Sequence, residues 1–250
     1  MNNTRDPLMI IRHQSIGFSI LALLLCGCNV NKNINVPANA HWSSGTSTIN
    51  GEIDVGSNAI VDGNLRTING RIDLADGAQA GNLMAINGNI RLGDSAHASH
   101  LQTVNGEIKL DNDTLTGQLA SVNGDIVVGH GAHISGNVDN VNGSIILCGA
   151  QLDGNLRFYN GSVLLSDGSV VHGNVTAKKP TRDYQEYAKL NEPVVIVGPQ
   201  VTIDRAITFE RPGKLYVSDA AVIHNVEGVK EVKFSGPAPT GIQSPTCPAN

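Results

Sequence analysis

Large aromatic side chains are scarce: Phe, Tyr and Trp make up 4% of the 250 residues. A core of interlocking rings is therefore excluded, and 28 glycines point instead to many short strands joined by tight turns. Clusters of basic residues interleaved with aromatics are absent too. With 17 Lys and Arg against 22 Asp and Glu, the chain carries a net charge of −5 and has no electrostatic reason to seek nucleic acid. No nucleophile stands beside a base, and neither a phosphate-binding loop nor a zinc-ligand spacing occurs, so no catalytic residue, metal or cofactor is expected. The apolar run near the N-terminus, Ile16 to Leu25, is too short to span a bilayer comfortably. A 40% hydrophobic content nevertheless suffices for one sizeable domain.

What the chain does have is a repeat. Asn-Gly recurs at Asn50, Asn69, Asn87, Asn105, Asn123, Asn142 and Asn160, at intervals of 18 or 19 residues. Side chains alternate across a strand, so apolar columns report which residues face inward. One strand carries Ile53 and Val55, Ile72 and Leu74, Ile90 and Leu92, and their equivalents through Val163 and Leu165. A second carries small and medium pairs such as Ala59 and Val61, Ala78 and Ala80, and Ala132 and Ile134. A third wall carries Leu65, Leu83, Leu101, Leu119, Val138, Leu156 and Val175, continued across a corner by the aliphatic residue before the next Asn-Gly. Three short faces per turn predict a triangular coil that only a stack of coils can stabilise. In that setting Gly supplies φ > 0 at a corner, and the seven asparagines form a hydrogen-bonded ladder from coil to coil. An antiparallel meander of Asn-Gly hairpins is the competing fold, but it leaves three unequal apolar walls unexplained.

The same columns place a partial coil from about Asn33, with Ile34, Val36, Ala40 and Trp42 inward, Trp42 capping the open end. The main repeats run over 33–176. An insertion at 177–192 reads as a short helix capped by Thr181, with Tyr184, Tyr187 and Ala188 on one side. Coils resume over 193–233, and 234–250, rich in Pro, Gly and Ser, reads as a flexible tail. The outward column beside the first strand runs Asp54, Asp73, Arg91, Lys109, then Val127, Ile146 and Leu164. The helix is expected to cover its apolar end.

Arg5, Arg12 and His13 before the apolar run have the layout of a secretory signal over 1–27. The run ends in Leu25-Cys26-Gly27-Cys28, which resembles the lipobox of bacterial lipoproteins. The resemblance implies lipid on Cys28, a short linker over 28–32, and, with Asn29 rather than Asp following, the outer membrane of a Gram-negative cell. The phrase I-x-V-G-x-x-A-x-V-x-G-N-L, from Ile53 to Leu65 and again from Ile126 to Val138, resembles the repeat of bactofilins, polymer-forming bacterial proteins. It implies an all-β, single-stranded right-handed parallel β-helix (a β-solenoid) able to self-associate; export and the insertion depart from that family.

Two cysteines remain, Cys148 in a turn and Cys247 in the tail. They either form a disulfide that ties the tail along the rod, or Cys148 acts as a small apolar residue. His97, His100, His130, His133 and His172 lie near one turn region, but rungs two apart are too distant for shared ligation. Glu52, Asp54, Asp73, Glu107 and Asp125 alternate with Arg71, Arg91 and Lys109, as expected of charge pairing along a solvated sheet. These observations predict a non-catalytic envelope lipoprotein, held by its lipid and acting as a scaffold, a homo-oligomer or an interaction surface. A cell-wall glycan-binding module is the alternative, and a polysaccharide-active enzyme the least favoured.

Overall fold

The computed structural model describes residues 29–179, 191–242 and 245–247. Among them the fold is all-β, a parallel β-solenoid of about 10 turns. The first wall is an 11-stranded sheet whose register keeps each inward column aligned, Ile34 opposite Ile53, then Ile72, Ile90, Ile108, Ile126 and Ile145. Neighbouring segments run parallel, so the hairpin meander is excluded. Ten interstrand steps of roughly 4.8 Å make a rod of roughly 48 Å.

The second and third walls merge into one 16-stranded sheet because the strands His97–Asn105, Leu115–Asn123 and Thr202–Phe209 run through the corner between them. The interior is a continuous aliphatic stack, with Ile53, Leu65, Ile72, Leu83, Ile90, Leu101, Ile108 and Leu119 all at 0 or 1% exposure. Trp42 packs half-buried against it, paired with Val61.

The structure corrects the third wall. Alternation continues past Leu65, so Arg66 faces out, Thr67 faces in, and Ile68 before the Asn-Gly faces out again. The inward column is therefore Thr48, Thr67, Ala85, Thr103, Ser121, Asn140 and Phe158, all buried. The aliphatic residues one place later are outside it, where Val122, Val141 and Tyr159 make a small cluster of their own.

Both expected ends also change. Residues 29–32 are no free linker: Asn29 pairs with Thr48, its amide donating to Ser47 O at 3.3 Å and its carbonyl accepting from the Ile49 amide at 3.0 Å. The helix expected over the insertion falls on 180–190, outside the described residues, while Ala177 still belongs to the strand Val175–Ala177. The coil resumes where Val163 pairs with Val195. Nor is 234–250 loose throughout, since Phe234 closes the strand Glu231–Phe234, and Ile242 and Cys247 pack on the rod.

Candidate functional site

The Asn-Gly corner is the most regular feature of the rod. Each asparagine donates its side-chain amide to the side-chain oxygen one coil below: Asn50 to Asn31, and Asn69 to Asn50, at 2.7 Å; Asn87 to Asn69, and Asn105 to Asn87, at 2.8 Å. Asn123 to Asn105 follows at 2.9 Å, Asn142 to Asn123 at 2.8 Å and Asn160 to Asn142 at 3.2 Å. The Asn160 oxygen then accepts the Asn191 amide where the chain returns from the insertion.

Of the seven adjoining glycines, Gly124, Gly143 and Gly161 have the expected positive φ, at 154°, 133° and 127°, whereas Gly51, Gly70, Gly88 and Gly106 do not. A Cβ on Gly70, Gly88 or Gly106 would instead lie 2.0, 1.8 or 2.1 Å from the carbonyl oxygen of the corner glycine one coil below. That carbonyl also accepts an inward hydroxyl: Thr67 donates to Gly51 O at 3.0 Å and Thr103 to Gly88 O at 2.9 Å. Positive φ also marks a second corner, at Asn39, Asn58, Gly77, Ser95, Asp113 and Gly131.

A second ladder stands at the Gly-Asn corner. Asn64 Oδ1 accepts the Asn82 amide, Asn137 that of Asn155, and Asn155 that of Asn174, each at 2.9 Å. Two coils break it by placing Ser99-His100 and Gly117-Gln118 there, and these are two of the coils whose strands run through the corner. Over that break lies a shallow groove of 670 Å³ lined by Gln79, His97, His100, Leu115, Gln118 and His133, among others. Beside it Asp139 is fully buried under a bidentate Arg157, at 2.6 and 2.8 Å.

The charged outer column is paired. Arg71 contacts Glu52 and Asp54 at 3.2 Å and Asp73 at 2.6 Å, while Asp111 holds both Arg91 and Lys109. The histidines meet single acceptors: His41 with Asp62 at 2.7 Å, His133 with Asp153 at 2.8 Å, His172 with Asp204 at 2.5 Å and His100 with Asn82 at 3.0 Å. Asp153 is held below the usual carboxylate range by a hydrogen bond from Gln151 and a second from His133.

Farther along the first wall the outer column turns apolar, with Val127, Ile146, Leu164 and Ile196 between 2 and 8% exposed. The described residues packed over this stripe are Phe234, Ile242 and Cys247, flanked by Val194 and Tyr216. Cys148, itself fully buried, is joined to Cys247 by a disulfide. Tail residues therefore lie on the stripe, and the insertion expected to cover it falls outside the described residues. Cys28 is outside the described residues, and no helix among the described residues is long and apolar enough to cross a membrane.

Comparison with family models, with curated proteins and with solved structures gave no match. What can be said of function rests on the surfaces themselves. The structure brings the seven asparagines into one line and the two cysteines into one bond. His97 and His100 share one coil and His130 and His133 another two rungs on, and His130 Nε2 lies 3.4 Å from an Asp167 oxygen. Missed from sequence were the hydroxyl column, legible in Thr-x-Asn-Gly at Thr48, Thr67 and Thr103, and the second ladder, legible in the repeated Gly-Asn.

Proposed function

We propose that this chain is a lipid-anchored envelope scaffold: a stiff rod fastened to a membrane through Cys28, presenting its walls as interaction surfaces without chemistry of its own. The observation that carries this is Asn29. It is already hydrogen-bonded into the stack one residue after the cysteine of the lipobox-like segment, so a lipid there would hold the base of the rod at the bilayer rather than on a loose tether. Pairing of Glu52, Asp54 and Asp73 with Arg71 supports the non-catalytic part, because the outer carboxylates are used on one another's neighbours. Mature lipoproteins carry several acyl chains, and each buried methylene adds about 0.8 kcal/mol, enough for a lasting anchor.

The test is expression of the full chain in a Gram-negative host fed a clickable fatty acid. A labelled, membrane-bound product shortened by 27 residues, lost in Cys28→Ala, is expected. An unlabelled chain in the soluble fraction would overturn the proposal.

The groove at the ladder break favours a second reading, the glycan-binding module. Its amide, imidazole and hydroxyl lining suits sugar hydroxyls, although it lacks the aromatic platform such sites use. Retention of the chain on cell-wall glycan, lost on replacing Gln118 and His100 by alanine, would favour it over the first.

A further inference from the structure

The disulfide lies beside a group that a structural crosslink does not need. Cys148 Sγ, Cys247 Sγ and an Asp167 carboxylate oxygen all lie within 4.8 Å of one another, one buried, one half-buried and one exposed. Two thiolates with a carboxylate are a ligand set for a borderline-soft divalent ion, and three protein ligands with an open fourth position are a known zinc arrangement. We infer that, once the Cys148–Cys247 bond is reduced, these two sulfurs and Asp167 bind one zinc-class ion, which then fastens the tail in place of the sulfur–sulfur bond.

The surroundings are arranged for it. Asp167 is held from both sides, its Oδ1 accepting from Ser166 Oγ at 3.0 Å and its Oδ2 lying 3.4 Å from His130 Nε2. Ligating carboxylates are commonly oriented by such partners. His130 reaches Asp167 across the coil that carries Cys148, and Gly149 leaves the way clear: a Cβ there would lie 2.7 Å from the His130 ring. On the other side, Ile146 and Leu164 form a dry wall around Cys148, which strengthens ion–ligand attraction. Cys148 is fixed by its pairing with Ser166, whereas Cys247 lies beyond the last strand. Tetrahedral zinc with metal–sulfur bonds near 2.3 Å needs sulfurs roughly 3.8 Å apart, so Cys247 is the ligand that moves.

The chemistry balances. An external dithiol or phosphine supplies two electrons and is itself oxidised, and the protein sulfurs take up two protons as thiols. Metal binding releases those two protons to water and leaves two thiolates and a carboxylate, three negative charges against two positive.

The test uses the full chain in detergent, reduced with a phosphine, freed of it without air and titrated with Co²⁺ in place of zinc. One cobalt per chain, with intense sulfur-to-cobalt charge-transfer absorption, is expected. The unreduced chain should show none. Asp167→Asn keeps a residue that tolerates the left-handed φ of +55° found there, so it should fold and bind at least tenfold more weakly; His130→Ala should weaken binding about 10–100-fold through Asp167. Bound zinc should also slow re-formation of the disulfide in air. Cobalt uptake without charge transfer, equal affinity in Asp167→Asn, or reoxidation unaffected by zinc would each overturn the inference.

Discussion

Gly106→Ala separates two explanations of the corner glycines. If they serve only to permit left-handed φ, this position should tolerate alanine, because its φ lies outside that region. If they let stacked backbones approach, alanine must push two coils apart. Its Cβ would sit 2.1 Å from Gly88 O and 2.6 Å from Gly88 C, more than 1 Å inside ordinary contact. The displacement strains the bonds from the Gly88 amide to Asn105 O at 3.0 Å, from the Ile90 amide to Glu107 O at 2.9 Å and from Asn105 to Asn87 at 2.8 Å. Losing two such bonds costs about 1–3 kcal/mol net, and overpacking adds about 1–3 kcal/mol. About 4 kcal/mol in a chain of this size lowers Tm by roughly 8–16 °C. The control is Gly168→Ala, at φ +73° with no atom nearer than 3.9 Å to the added Cβ. It bears only the handedness penalty of about 1–2 kcal/mol, roughly 2–8 °C. Thermal unfolding followed by circular dichroism ranks the two. The close-approach account fails if Gly168→Ala is the more damaging, or if Gly106→Ala shifts Tm by less than about 2 °C.

Asn105→Ala removes one bond donated to Asn87 and one accepted from Asn123, both exposed, so denaturant titration should show a loss of about 1–2 kcal/mol. Arg157→Leu strips two charged hydrogen bonds from fully buried Asp139 and should cost about 3–5 kcal/mol, with the Asp139→Leu/Arg157→Leu pair less harmful than the single change. Asp153 has a depressed folded pKa, so its stabilising contacts persist above the ordinary carboxylate midpoint, roughly 3.9, and are lost as pH falls through the lower folded value. Carboxylate NMR should find its midpoint rising in Gln151→Leu. Cys148→Ser opens a crosslink spanning 99 residues, worth about 4.7 kcal/mol by loop entropy, and should also raise binding of a fluorescent apolar dye to the bared stripe.

Most of the rod was legible because period-2 alternation repeats itself in every coil and each copy corrects the others. An aliphatic residue such as Ile68 looks like core from sequence, yet Thr67 and Thr103 take the inward position because their hydroxyls have partners in the glycine carbonyls below. The second ladder was harder to see because Ser99-His100 and Gly117-Gln118 interrupt it, and the same interruption makes the groove. What lies over the apolar stripe depended on contacts between residues about 100 apart, such as Cys148 and Cys247. No local pattern encodes those, and a Pro-rich tail reads as loose until its few apolar residues find a surface.

The outer column of the first wall explains why the tail should be fastened where it is. On the charged half, Asp54 faces Asp73 and Arg91 faces Lys109, and these like-charged steps are offset by Arg71, which contacts Glu52, Asp54 and Asp73, and by Asp111, which holds Arg91 and Lys109, so that half of the sheet offers apolar neighbours a charged face. On the other half, Val127, Ile146, Leu164 and Ile196 stand in line along successive rungs of the same sheet. Left bare, that line would offer a second rod an apolar seam with matching spacing. Among the described residues, the tail packs Phe234, Ile242 and Cys247 across it, and ordering a terminal segment costs conformational entropy that such burial must offset. A covalent or metal bond at Cys148 makes their contact intramolecular at fixed distance, which raises its effective concentration without adding contacts. The sulfur pair thus sits where a single bond adds most to covering the stripe.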